Sequence, residues 1–230
     1  MTKNKRLMHP IWIVAHRLFR NYRLLLFVYS LIFLSIFLLI NISYSTGLIS
    51  NPSTTMPEIW DSVSISPNIF LLVLGIMITT LTLSGFVSNG LTRRHFVAGT
   101  TLFMLAMSLA FSIIMLIGYP LGNLTLQAFG VPWDLQYPHL LSMILNNIFI
   151  FFGYFSTGWL IGSTFYRFNW KVAAPLALIS YMPAIGMEWI IEIDNMPYFI
   201  KIVILVVVSA LIVALNYVML RRVSIKRKLV

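Results

Sequence analysis

The chain has 230 residues, 59% of them hydrophobic and only 10% charged, with no cysteine and a formal charge of +10. Soluble domains run near 45–50% apolar with about 25% charged residues, so a soluble globular domain is excluded. The lack of cysteine removes disulfides, thiolate metal sites and cysteine nucleophiles. The apolar residues come in continuous runs long enough to cross a bilayer, which takes about 20 residues at 1.5 Å each. Continuous rather than alternating runs exclude a β-barrel and predict an all-α membrane protein. The basic residues sit at segment ends, so lipid and protein are the expected counterparts and nucleic acid is not.

Residues 1–23 are basic, with Lys3, Lys5, Arg6, Arg17, Arg20 and Arg23. Pro10 can start a helix. Ile11, Ala15, Leu18 and Tyr22 then share one side, while His16, Arg17 and Arg20 share the other. This pattern predicts an interfacial amphipathic helix lying flat on the cytosolic leaflet, with a generic juxtamembrane anchor as the alternative. The lead-in is too long for an ordinary charged leader and no small-x-small cleavage site follows, so the first apolar run is expected to remain as a span.

Six spans are predicted over residues 24–44, 68–88, 100–120, 140–165, 172–191 and 199–220, followed by a basic tail over 221–230. With both termini in the cytosol, fifteen of the sixteen Lys and Arg residues fall inside and only Lys201 falls outside. All six acids (Glu58, Asp61, Asp134, Glu188, Glu192 and Asp194) fall on the outer side. That asymmetry obeys the positive-inside rule, and Trp12, Trp60, Trp133, Trp170 and Trp189 fall near interfaces as an aromatic belt would. The fifth span is irregular, because Pro175, Pro183 and Gly186 interrupt it close to Glu188. It predicts a helix ending near Met182 and a re-entrant turn over 184–191, with a Pro-kinked helix as the alternative.

Between the second and third spans the chain reads Phe-Val-Ser-Asn-Gly-Leu-Thr-Arg-Arg-His-Phe-Val over 86–97. Gly90 ends a helix at low cost and Thr92 can cap the next. Arg93, Arg94 and His95 form a compact cationic knuckle, with Leu91, Phe96 and Val97 turned to the apolar side. A short amphipathic helix at the membrane surface is predicted, a plain topological anchor being the alternative.

Enzymatic chemistry is poorly served. No histidine lies within a span, no His/Asp/Glu cluster has metal-ligand spacing, and no G-x-x-x-x-G-K-[ST] motif is present. The chain is therefore expected to bind no cofactor and to hydrolyse no ATP itself. Ser84, Ser108, Ser112 and Ser156 lack an evident base and are expected to bond back to their own helices. Glu188 is the single acid that a membrane carrier could use, and its depth is shallow. Asn146 and Asn147, like Asn216, are expected to bond between helices. Gly153, Gly158 and Gly162, the last two in G-x-x-x-G spacing, should let the fourth span approach a neighbour closely.

With these pieces in order, the chain resembles the membrane subunit of a type-2 ABC exporter, the bacterial ABC-transporter permease family. The likeness covers nearly the whole length. It rests on the amphipathic lead-in from Pro10 to Arg23, the six spans with both ends inside, and Gly90-Leu91-Thr92-Arg93-Arg94-His95-Phe96. In that family a Gly-x-[Thr/Ser]-Arg-[Arg/Lys] segment at this place forms a coupling helix that docks on the ATPase subunit. The family's outer re-entrant element loosely matches Pro183, Gly186 and Glu188. The resemblance implies a pair of permease subunits in the bacterial cytoplasmic membrane, seated on ATPase subunits that hold ATP and Mg. It further implies export of a hydrophobic or amphipathic cargo, such as a cytolytic peptide, a lipid or a drug. A membrane immunity or sensor protein and an ion-coupled carrier are the rival readings.

Overall fold

A computed structural model describes residues 9–46, 56–129, 140–193 and 195–221. They form six helices: α1 (Pro10–Ser45), α2 (Met56–Ser88), α3 (Arg93–Ala128), α4 (Leu140–Arg167), α5 (Trp170–Glu192) and α6 (Tyr198–Arg221). Each contains a stretch long and apolar enough to span a membrane, and no strand occurs among the described residues. The chain is a multi-pass helical membrane protein. Lys3, Lys5, Arg6, Trp133, Asp134, His139, Asp194 and the tail beyond Arg221 lie outside the described residues.

The helices outrun the apolar segments that announce them. α1 is unbroken from Pro10, so the lead-in and the first span are one element. Its apolar side is covered by α3 rather than by lipid. Val14 and Leu18 are fully buried, and Gly99 of α3 sits so close that a Cβ there would lie 2.7 Å from Ile11 O. Tyr22 meets Phe103 and, two turns on, Tyr29 stacks on Phe70 of α2 at 3.8 Å. α1 thus stands beside α3, pointing the same way, instead of lying flat. α2 begins at Met56, and α3 begins at Arg93 and passes through Pro120 to Ala128.

α5 corrects the expectation of a re-entrant turn. It is helical from Trp170 to Glu192 straight through Pro175 and Pro183. Proline forfeits one backbone bond, a loss that packed neighbours and hydroxyl side chains make tolerable in a membrane helix. The bond lost at Pro183 is the one to Ile179 O. Ser180 Oγ donates to its own i−4 carbonyl, Leu176 O, at 2.7 Å and does not replace it, so packing beyond the proline holds the segment. Ala184 and Met187, just beyond it, are buried, and Met187 lies over Gly153 of α4.

α4 is the hub. It packs against α2, α3, α5 and α6 and is the most deeply buried of the six helices, whereas α6 is mostly exposed. Its glycines explain this. Gly158 and Gly162 receive the carbonyl oxygens of Leu72 and Ile76 of α2, and a Cβ on Gly75 would lie 2.7 Å from Trp159 N. Two carbonyls four residues apart therefore seat on two glycines four residues apart, and the two backbones touch. A polar line continues the seam. Thr79 and Ser163 hydroxyls are 3.1 Å apart, Ser163 Oγ donates to Asn216 Oδ1 at 3.4 Å, and Asn216 Nδ2 donates to Ser156 O at 3.2 Å. Around the seam, aromatic rings tie α1, α2 and α3 to α4 at three depths: Tyr29–Phe70–Phe111–Phe151, Tyr22–Phe103–Phe155 and Phe86–Phe96–Trp159.

The seam makes opposite predictions for glycines in one chain. Gly158→Ala and Gly162→Ala each force a methyl against backbone and should cost about 1–3 kcal/mol. Gly186→Ala meets nothing within 4 Å and should stabilise its helix by about 0.5–1 kcal/mol. Thermal unfolding of the detergent-solubilised variants reads both signs.

Candidate functional site

The junction of α2 and α3 is built from three residues. Gly90 has φ +79°, the left-handed conformation that a side chain disfavours. Its N–H donates to Val87 O at 3.0 Å, and the Leu91 N–H donates to Phe86 O at 3.2 Å. Together these bonds make a Schellman stop for α2. Thr92 then starts α3, its Oγ1 accepting from the His95 N–H at 3.3 Å. No room is left for a separate short helix, because the first turn of α3 itself carries Arg93, Arg94 and His95.

The structure divides these residues into anchors and exposed groups. Phe96 is fully buried between Phe86 and Trp159, and Leu91 packs partly against the same core. Arg93 Nη1 donates to Arg221 O at 2.7 Å, while Arg167 Nη1 donates to Met219 O at 3.3 Å. Two guanidiniums thus satisfy the last carbonyls of α6, where a helix end favours positive charge. Arg17 of α1 sits over the Phe86 ring at 5.6 Å, and His9 meets His95 edge-on at 6.4 Å. The start of α1, the α2–α3 turn, the α4–α5 turn and the end of α6 therefore share one cationic face. On it Gly90, Thr92 and Arg94 stay exposed, and Arg94 has no hydrogen-bond partner among the described residues.

The opposite face is held differently. Lys201, the one cation expected there, donates its Nζ to Ile191 O at 2.8 Å and caps the end of α5. Tyr154 Oη of α4 donates to Glu188 Oε1 of α5 at 2.8 Å, with the Tyr181 ring edge-on to Tyr154. Pro183 and Gly186 are partly buried within α5, five and two residues before this carboxylate. Asn146 does bond between helices, accepting from Tyr198 Oη of α6 at 3.4 Å, whereas Asn147 has no such partner among the described residues. Of the hydroxyls, Ser108 and Ser156 bond back to Met104 O and Phe152 O, but Ser112 reaches across to Ile144 O of α4.

Between α3 and α6 runs a groove of about 790 Å³, floored by α4. Small residues carve it, since Ala98 and Thr101 on one wall face Ser209, Ala210 and Ala214 on the other. Alanines and a serine scattered at helical spacing across two distant helices give no linear signal.

The chain matches no protein-family model, no curated relative and no solved structure.

The turn should be stiff, and its stiffness is testable. Gly90→Ala and Thr92→Ala should each lower local stability by about 1 kcal/mol. Hydrogen exchange at the Leu91 and Phe96 amides should then quicken about fivefold, with the α4 amides unchanged.

Proposed function

We propose that the chain is the membrane subunit of an ATP-driven exporter, coupling nucleotide hydrolysis on a separate subunit to export of a hydrophobic or amphipathic cargo. The observation that supports this most is the doubly capped turn at Gly90 and Thr92, which joins an exposed cationic tip to buried Phe96 and to the end of α6. A partner closing on that tip would push on the first turn of α3. The push would pass through Phe96 to Trp159 on the hub helix and through Arg93 to α6. Packed cores switch between discrete arrangements rather than deform smoothly, so such a push selects between two states of the bundle.

In this reading the cationic face is cytosolic, as an excess of Lys and Arg favours. ATP and Mg stay on the ATPase, and a second permease subunit completes the pathway. The docking surface is smaller than a separate coupling helix would present. It consists of the exposed Gly90, Thr92 and Arg94, with Leu91, Arg93 and Phe96 as the residues that brace them.

Recovery of the tagged chain from native membranes should bring down a nucleotide-hydrolysing subunit. Arg93→Glu combined with Arg94→Glu should insert normally yet lose that partner, with stimulated ATPase and transport falling to background. Recovery without any ATPase overturns the proposal in favour of an immunity or sensor protein. Flux that survives ATP depletion and collapses with the proton gradient overturns it in favour of a carrier, with Glu188 as the group to titrate.

A further inference from the structure

We propose that the groove between α3 and α6 is a binding site for one anionic phospholipid, its acyl chain along the groove and its phosphate at Arg94. The dimensions come first. From Arg94 to Leu105 the groove follows α3 for about 16 Å at 1.5 Å per residue. From Tyr217 back to Val206, α6 lines the other wall over the same length. That is about half of a hydrocarbon core roughly 30 Å thick, the depth of a single leaflet. The volume of about 790 Å³ is that of a small-molecule cleft, here left open along its length.

Chemistry and access agree with the dimensions. Apart from Arg94 and the hydroxyls of Thr101, Ser209 and Tyr217, the lining is hydrocarbon. Leu105, Val206, Ala210 and Ala214 are exposed along the rims, so the groove opens sideways to whatever surrounds the helices. Charge is concentrated at one end. Arg93 and Arg167 are committed to carbonyls of α6, but the Arg94 guanidinium is exposed at the mouth with none of the described residues to neutralise it. Tyr217 stands at the same end, where an aromatic ring with a hydroxyl suits headgroup level. A cationic mouth over a leaflet-deep apolar slot between helices selects an anionic headgroup carrying a chain. This inference does not rest on the exporter reading.

The test uses the full chain in mild detergent, equilibrated with phosphatidylglycerol or phosphatidylcholine, with retained lipid counted by native mass spectrometry. The chain should keep one phosphatidylglycerol in preference to phosphatidylcholine by on the order of tenfold, the worth of one charge-assisted pair. Arg94→Gln should abolish the preference while leaving phosphatidylcholine retention unchanged. Ala210→Trp, at an exposed rim position, should fill the slot and lower retention of both lipids. Equal retention of the two lipids, or a preference that survives Arg94→Gln, overturns the proposal. So does an Ala210→Trp chain that keeps its lipid but forms a smaller assembly than the unsubstituted chain, which would assign the groove to a second copy. Because the readout is lipid on the purified chain, it is independent of whether an ATPase is ever recovered.

Discussion

The close seat of α2 on α4 is the contact that the rest of the bundle depends on. Lipid tails are as apolar as leucine, so two membrane helices gain little from simply hiding apolar surface in each other. They gain from dispersion contacts and from backbone groups brought within reach, and that requires the side chains between them to vanish. Gly75, Gly158 and Gly162 do this, placing the carbonyls of Leu72 and Ile76 directly against the hub helix. Once the two backbones touch, Thr79, Ser163 and Asn216 fall into hydrogen-bonding range and draw α6 to the same seam. α3 and α5 complete the ring round α4, and α1 is added outside, against α3.

Much of this architecture can be read from the residues alone, for physical reasons that also explain the misses. Hydropathy reports how much chain a bilayer accepts, and on that measure six spans are plain. It does not report where a helix stops. Nothing between Arg20 and Leu24 breaks a helix, so α1 runs through a change of solvent that a hydropathy trace takes for a boundary. Gly90 and Thr92 are true punctuation, and there the expected stop and start fall where the chain reads them. Arg93, Arg94 and His95 form no helix of their own, because nothing after them breaks the chain and α3 absorbs them as its first turn. Pro183 misled in the opposite direction, because a proline penalty measured on exposed helices is offset when buried Ala184 and Met187 pin the segment to α4.

The glycine spacing on α4 was legible, but its counterpart was not. A receiving row of carbonyls on α2 has no side-chain signature, since every residue owns a carbonyl. The same limit hides the groove, whose walls come from helices more than a hundred residues apart in sequence. Asn146 and Asn147 show how finely this cuts, for adjacent asparagines on a helix point about 100° apart and only one of them meets Tyr198.

The upright stance of α1 has a bearing on the membrane itself. Val14 stands at Gly99 and Tyr22 at Phe103, so the exposed Arg20 and Arg23 ride level with the deeper half of the α3–α6 slot. On the α6 flank the same height is occupied by exposed valines and leucines. Long cationic stems lean back toward water, yet a guanidinium that far in also draws water and headgroups down to meet it. In a bilayer, water and headgroups drawn to these guanidiniums would thin the hydrocarbon beside α1 relative to the apolar flank of α6.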